Sequence, residues 1–185
     1  MAELGRRAWL KRLLPKAANV VAEEVEQRLE QHFPAQLRPP GAVGEALFMS
    51  LCSRCNKCVD ACDEHAAVFL FTEEAGVYEN TPVMRPELRA CHMCEGFPCA
   101  AACETGALVV PKTPTWDLGT VAIDKTRCIT FSGPECGACV DICPGDVNAM
   151  TLQRWKPVLD SEQCIGCGIC VDACPMMPAA IGMVD

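Results

Sequence analysis

Sixteen cysteines are the residues of this 185-residue chain whose type and spacing could do chemistry. They form four groups of four, and none is left over. The groups are Cys52, Cys55, Cys58 and Cys62; Cys91, Cys94, Cys99 and Cys103; Cys128, Cys136, Cys139 and Cys143; and Cys164, Cys167, Cys170 and Cys174. The run C-x-x-C-x-x-C-x-x-x-C places three thiolates on one metal–sulfur cube and sends its fourth cysteine to a neighbouring cluster. We therefore predict that all sixteen cysteines are metal ligands and hold four [4Fe–4S] clusters.

Disulfides and zinc are the competing fates of so many thiols. A disulfide framework belongs to secreted domains, and nothing in the chain resembles a cleavable secretory signal. Structural zinc favours paired C-x-x-C elements a dozen or more residues apart. Small residues inside the loops, such as Gly137, Ala138, Gly166 and Gly168, let the backbone approach an inorganic core closely. The spacing therefore favours clusters.

The four groups differ in detail. Proline follows the last cysteine in the third and fourth groups, whereas Asp63 and Glu104 follow it in the first and second. A carboxylate beside a cluster is expected to lower its reduction potential, because it disfavours the added electron. Seven residues separate Cys128 from Cys136, and Gly133 next to Pro134 indicates a looped-out insertion. We still count Cys128 as a ligand, because it completes the fourth set.

Composition excludes several classes of function. The formal net charge is −8, and the first sixteen residues are basic, so residues 17–185 carry 11 basic and 23 acidic residues, a net charge of −12. Nucleic-acid binding needs a basic surface and is not expected. The acidic body suits a redox partner with a basic docking patch. No apolar run is long enough to cross a membrane, and no nucleotide-binding or catalytic motif is present, so the chain is not predicted to be an enzyme.

Short strand-like runs flank the cysteine groups, at residues 107–110, 120–123, 149–152 and 157–159. They predict an α+β fold of bacterial-ferredoxin-like dicluster modules with two-stranded hairpins over residues 41–185. Residues 1–40 form a separate helical and extended segment. Its apolar residues Ala18, Val21, Val25 and Leu29 recur at helical spacing, and prolines follow. This helix either packs on the cluster domain or docks a partner.

The remaining rings are given ordinary structural roles. His92 is expected to hydrogen-bond the backbone or a cluster sulfur rather than to bind iron. His32 and His65 have no companion at metal-ligand spacing. The three tryptophans are expected to pack over loops, and they are Trp9, Trp116 and Trp155.

The motifs resemble those of a known family, the ferredoxin-type proteins NapF and NapG of periplasmic nitrate reduction and MauM of methylamine utilisation. The resemblance runs from LRPPGA at residues 37–42 through CSRCNKCVDAC, CHMCEGFPCAAACETGAL, CITFSGPECGACVDIC and CIGCGICVDACP. It implies four [4Fe–4S] clusters and a protein redox partner, either a molybdenum enzyme or a quinol-oxidising component at the membrane.

The resemblance also bears on location. Residues 5–11, GRRAWLK, look like the twin-arginine export motif that NapG-like members use. Four glutamates between residues 23 and 30 leave no apolar stretch behind that motif. We therefore predict a cytoplasmic protein, as for NapF-like members, with the periplasm as the alternative.

Two ways of pairing the groups remain open. The second group is similar to that of four-cluster subunits of molybdenum oxidoreductases, in which the first group pairs with the fourth and the second with the third. We favour this nested arrangement. Residues 111–120 contain two prolines and read as a linker, which would instead separate a first-plus-second module from a third-plus-fourth one.

Three hypotheses for function follow. The leading one is an electron-transfer protein that passes single electrons to or from a partner oxidoreductase. The second is a cytoplasmic accessory or maturation factor for a molybdenum enzyme such as periplasmic nitrate reductase. The third is an obligate electron-transfer subunit of a multi-protein oxidoreductase, which would expose a large apolar patch when alone.

Overall fold

The computed structural model describes residues 35–112 and 118–184. The predicted amphipathic helix, the arginine pair, Trp9, Trp116 and His32 lie outside these residues, and so does the sequence basis of the predicted cytoplasmic location. Within the described residues, no helix has the length and apolar character needed to cross a membrane. We call residues 37–110 the N-terminal lobe and residues 118–184 the C-terminal lobe.

The N-terminal lobe contains the first two cysteine groups. Its helices are α1 (Glu45–Leu51), α2 (Lys57–Asp60) and α3 (Pro98–Ala101). Its strands β1 (Val68–Leu70) and β2 (Pro82–Met84) pair antiparallel, and a 3-10 helix over Glu73–Tyr78 lies in their connection. The start of the lobe meets its end at an antiparallel bridge between Ala42 and Leu108. The two cysteine groups are therefore enclosed between this bridge and the inner pair of strands.

The C-terminal lobe repeats the same plan. Outer strands β3 (Thr120–Ile123) and β6 (Ile181–Val184) pair antiparallel, and so do inner strands β4 (Met150–Gln153) and β5 (Lys156–Leu159). A 3-10 helix over Ile129–Phe131 and two helices, α4 (Ala138–Asp141) and α5 (Ile169–Asp172), complete it. Pairing β3 with β6 joins residues almost sixty positions apart and closes the lobe around the third and fourth groups.

These elements confirm most of the predicted strands, and the mixed α/β character agrees with the predicted fold class. Residues 120–123, 150–152 and 157–159 are strands. The prediction for residues 107–110 is wrong, because Leu108 makes a single bridge to Ala42 and no strand forms. The reason lies in the segment that would have to pair with it. That segment turns into α1 directly after Ala42, so no extended backbone is left for further pairing.

A buried arginine ties the N-terminal lobe together. The Arg38 side chain is 4% exposed, and its guanidinium donates to the Glu45 carboxylate of α1, with Nε 3.1 Å from Oε2. It also donates to the Thr81 hydroxyl at 2.9 Å and to the backbone carbonyl of Pro82 at the start of β2. Its carbon centre lies 4.4 Å from the centroid of the Phe48 ring. Arg38 therefore connects α1 to β2 through an ion pair, hydrogen bonds and a cation–π contact.

The two lobes meet through their cysteine loops. The backbone N–H of Cys91, in the second group, donates to the carbonyl of Cys167, in the fourth group, at 3.2 Å. Next to this bond, a Cβ added to Gly168 would lie 2.4 Å from Cβ of Pro86, which is much shorter than a normal van der Waals distance between carbon atoms. The close approach requires glycine at position 168. The second and fourth cysteine groups are consequently neighbours across the lobe boundary.

Candidate iron–sulfur centres

Each cysteine group bends its chain in the same way. The third cysteine of every group lies in a four-residue helix, α2, α3, α4 or α5. The residue two positions before it caps that helix, and it has positive φ in three of the four groups, at Asn56, Phe97 and Gly168. The third group, which carries the long insertion, departs from this pattern, with φ of −139° at Gly137.

The sixteen thiols gather around four cavities of nearly equal size. The cavity volumes, which include the space at their openings to solvent, are about 340, 380, 350 and 350 Å³. The cysteines lining them form four quartets: Cys52, Cys55, Cys58 and Cys103; Cys91, Cys94, Cys99 and Cys62; Cys128, Cys136, Cys139 and Cys174; and Cys164, Cys167, Cys170 and Cys143. Every quartet thus takes three thiols from one group and the last thiol of another.

The nested pairing favoured from the sequence is not the arrangement seen. It would bring Cys62 to the fourth group and Cys103 to the third, whereas these thiols lie with the second and first groups. The physical reason is the packing of short helices, since α2 packs against α3 and α4 against α5 within their own lobes. The fourth cysteine lies two residues after the end of each helix and is therefore carried to the partner helix of the same lobe.

Burial raises the pKa of the thiols on the short helices. The values are about 11 for Cys58 and Cys139 and about 12 for Cys99 and Cys170. The first cause in every case is loss of hydration, and neighbouring cysteines add to it because thiolates so close together repel one another. Four thiolates can share such a space only with a cationic group among them.

Backbone amides point at the fourth thiol of three groups. The N–H of Ala67 donates to Sγ of Cys62 at 3.3 Å, and the N–H of Leu108 donates to Sγ of Cys103 at 3.4 Å. Ala180 makes the same contact with Cys174 at 3.3 Å. Burial raises the pKa of Cys103, but the amide of Leu108 and the hydroxyl of Thr105 outweigh it, so that its pKa is lowered. These donors stabilise a thiolate at the end of each run.

Two histidines form a contact that sequence reasoning missed. The rings of His65 and His92 are stacked, with centroids 4.2 Å apart and planes 11° from parallel, and both line the cavity of the second quartet. The predicted hydrogen bond from His92 to the backbone or to a sulfur is not seen among the described contacts. No local signal could have shown the stack, because His65 follows the first group and His92 lies within the second.

Trp155 and Glu104 also differ from expectation. Trp155 is 62% exposed at the tip of the β4–β5 hairpin, so its predicted packing role is wrong. Glu104, expected to act on a cluster as a free carboxylate, pairs instead with Lys57. The neighbouring Cys103 lines the cavity of the first quartet, so this exposed ion pair offsets part of the carboxylate charge beside that quartet.

The residues present fit iron–sulfur groups. Four thiols stand around each space, amide N–H groups point at sulfur, and mostly apolar side chains line the walls. Among the described residues, no three cysteine, histidine or carboxylate side chains converge tightly enough to hold a single metal ion. The thiols surround a wider space instead.

Comparisons with known proteins agree with this chemistry. Two family models described as 4Fe-4S binding domains match, one at residues 155–176 and the other at residues 49–64 and 125–149. The chain is 33% identical to the ferredoxin-type protein NapG of Escherichia coli over 180 residues, which cover 88% of this chain and 78% of that protein. It is 35% identical to the methylamine utilization ferredoxin-type protein MauM of Methylophilus methylotrophus over 80% of this chain and 70% of that protein.

A third relative is the ferredoxin-type protein NapF of Escherichia coli, 31% identical over 70% of this chain and 74% of that protein. No solved structure matches. The relatives are named as ferredoxin-type proteins, which confirms the predicted class and the prediction that the chain is not an enzyme. With matches over most of its length and 4Fe-4S domains at three of its four cysteine groups, the chain belongs to the family of ferredoxin-type iron–sulfur proteins that includes NapG and MauM.

Proposed function

We propose that this chain carries four [4Fe–4S] clusters in two tandem dicluster modules within residues 41–185, and that it passes single electrons to or from a partner oxidoreductase. The observation that carries the proposal is the set of four cavities, each lined by one complete quartet of cysteines. All sixteen cysteines would be ligands. When bound, each such cluster supplies a site that accepts and releases one electron.

The chain's own residues prepare these sites. Left-handed residues in the loops, among them Asn56 and Phe97, turn the backbone around the cavity, and this conformation costs energy that the folded loop must offset. Apolar walls limit the access of water to the most buried thiols, and amides such as that of Ala67 donate to sulfur. Each of these features stabilises a bound thiolate–iron unit or tunes its potential.

The order of the quartets supports a carrier. The first and second share the N-terminal lobe, the third and fourth share the C-terminal lobe, and the bond from Cys91 to Cys167 brings the second next to the fourth. The first and third quartets therefore lie at opposite ends of the series. A molecule that receives electrons from one protein and delivers them to another needs two such ends.

Metal analysis of anaerobically purified protein tests the cofactor part of the proposal. We expect about sixteen irons and about as many sulfides per chain, and about four electrons taken up in a reductive titration. Iron near eight would contradict the count of four clusters. Stoichiometric zinc would contradict the cofactor itself.

Electron exchange with the oxidoreductase that co-purifies with the native protein tests the carrier role. Reduced protein should be reoxidised by that mature enzyme, and the rate should fall as salt is raised, because charged surfaces guide the encounter. An enzyme that turns over fully with its physiological donor in a strain lacking this protein would refute the carrier role. Enzyme made inactive in that strain, and not rescued by adding this protein, would identify a maturation factor instead.

A further inference from the structure

A basic groove interrupts the acidic chain on the C-terminal lobe. It has an empty volume of about 1310 Å³, which makes it much the largest hollow among those described. The charged residues that line it are Lys125, Arg154 and Lys156, and no aspartate or glutamate lines it. None of the three has an ion-pair partner among the described residues. On a chain of net charge −8, three unpaired cations in one hollow form a local positive site.

The floor of the groove is apolar and aromatic. The ammonium groups of Lys156 and Lys125 lie 5.1 and 5.9 Å from the centroid of the Phe131 ring. Both cations therefore make cation–π contacts with this ring. The exposed side chain of Val158 adds apolar surface beside them. Such a combination of fixed cations and apolar floor matches a chain segment that carries carboxylates and apolar residues together.

The groove adjoins two of the proposed electron sites. Pro157 lines both the groove and the cavity of the third quartet, and Leu159 lines both the groove and the cavity of the fourth. A molecule seated in the groove is thus separated from each quartet by about one side chain. The groove is also at the third-quartet end of the series, where electrons would leave or enter.

In the N-terminal lobe a longer, acidic segment joins the corresponding strands. There, β1 and β2 are joined by residues 71–81, which include Glu73, Glu74 and Glu79. The Arg54 guanidinium donates to the backbone carbonyls of Val77 and Glu79 in this connection. The C-terminal lobe joins β4 to β5 through Arg154 and Trp155 alone, and no equivalent segment covers its cations.

We infer that this groove is the docking site for an acidic, partly apolar segment on the surface of the redox partner protein. The inference rests on the proposed electron-transfer function and names the chemistry of its partner. It also replaces the expectation of a basic docking patch on the partner, because the net charge of distant residues is screened beyond about 8 Å at physiological salt, whereas the groove cations act at contact. Local charge therefore decides the encounter at this end of the molecule.

The binding test uses a fluorescein-labelled peptide with the sequence TEEAGVYE, a copy of residues 72–79, and cluster-loaded protein at low salt. Zero-length carbodiimide coupling joins a carboxylate to a lysine amine in direct contact, so mass spectrometry of the product locates the peptide. We expect coupling at Lys125 and Lys156 rather than at the exposed Lys112 or Lys57. The peptide TQQAGVYQ should not compete. Equal coupling at all exposed lysines would overturn the inference.

Charge-reversal variants test whether the partner oxidoreductase itself uses the groove. Lys125→Glu with Lys156→Glu should slow electron exchange with the co-purifying oxidoreductase about tenfold and remove most of its salt dependence. Lys112→Glu is the control for each single reversal, Lys125→Glu or Lys156→Glu, since it makes the same charge change at an exposed site outside the groove, and it should leave the rate unchanged. Equal rates in groove and control variants would overturn the inference.

Two readouts keep this test separate from the proposed function. Iron content and the visible spectrum of each variant show whether its clusters are intact, and peptide coupling is measured without electron transfer. If the wild-type protein exchanges no electrons while the peptide still binds in the groove, the carrier role fails and the docking site stands. Peptide-resistant binding of anionic phospholipid vesicles at these lysines, or a dimer of this chain that buries them, would refute a protein partner.

Discussion

The two lobes share one arrangement of elements and differ in the burial of their cysteines and in the connection between their inner strands. In the N-terminal lobe, Phe48 is fully buried, Cys58, Cys91 and Cys99 are buried, and residues 71–81 join the inner strands. In the C-terminal lobe, every cysteine is partly exposed, and the inner strands end in a two-residue turn beside the groove. Related cysteine groups can therefore differ in burial: three thiols of the N-terminal lobe are buried, one, Cys55, is exposed, and those of the C-terminal lobe all lie between these extremes.

The largest expected effect comes from exchanging the last thiol of a group. Cys103→Ser should remove the cluster held by Cys52, Cys55 and Cys58 and lower iron by about four per chain. Cys143→Ser, its counterpart in the other lobe, should free Cys164, Cys167 and Cys170 instead. Alkylation under anaerobic conditions followed by mass spectrometry shows which thiols have been released. Release of Cys128, Cys136 and Cys139 by Cys103→Ser would restore the nested arrangement.

A smaller effect is expected at the clamp that only the N-terminal lobe possesses. Arg38→Met leaves Glu45 and the Thr81 hydroxyl without their buried partner, which should cost about 3–5 kcal/mol. Denaturant should then release iron in two steps, the first from the N-terminal lobe. In the wild type, the two lobes should lose iron at more similar denaturant concentrations.

Two variants serve as controls for this clamp. Arg38→Lys keeps the charge but loses the forked contacts, and it should fall between the wild type and Arg38→Met. Glu45→Gln tests the other side of the ion pair. A single unchanged transition in Arg38→Met would show that the clamp does not set the stability of its lobe.

The smallest effect is expected at the boundary between the lobes. Gly168→Ala would drive a methyl group into Pro86, at a cost of about 1–3 kcal/mol beyond the backbone strain of its positive φ. Gly96→Ala is the matched control, because Gly96 has nearly the same φ, 75° against 76°, and no atom within 4 Å of the added methyl. The difference in denaturation midpoints between the two variants isolates the clash. Equal midpoints would mean that the lobes do not press on each other there.

Sequence reasoning predicted the chemistry of the sites better than their grouping. The cysteine spacing is local, so the loops with their small residues and the short strands at residues 120–123 and 157–159 could be anticipated. The contact of Gly168 with Pro86 of the other lobe could not. Which loop receives the fourth thiol depends on the packing of α2 on α3 and of α4 on α5, and nothing within one motif encodes that choice. The proline-containing linker at residues 111–120 correctly indicated that the first group pairs with the second and the third with the fourth. The resemblance to subunits of molybdenum oxidoreductases was given more weight and favoured the nested pairing instead.

Other features escaped because they join distant parts of the chain. Arg38 reads as a surface residue in a proline-rich stretch, and only its approach to Thr81 and Pro82 shows that it is buried. The groove cations come from the turn after β3 and from the β4–β5 hairpin, about thirty residues apart, so the overall acidic charge concealed them. Net charge describes the chain as a whole, whereas docking depends on a few side chains that folding brings together.

The grouping of the cysteines within lobes has a consequence for how such proteins can arise. A gene cut anywhere between the codons for residues 111 and 118 leaves eight cysteines on each side, and each eight form two complete quartets. In the nested arrangement every cut between motifs would separate ligands of one cluster. Tandem duplication, fusion or exchange of a half can thus proceed here without passing through an ancestor that lacks a working site. The unit of inheritance would then be a pair of cysteine quartets.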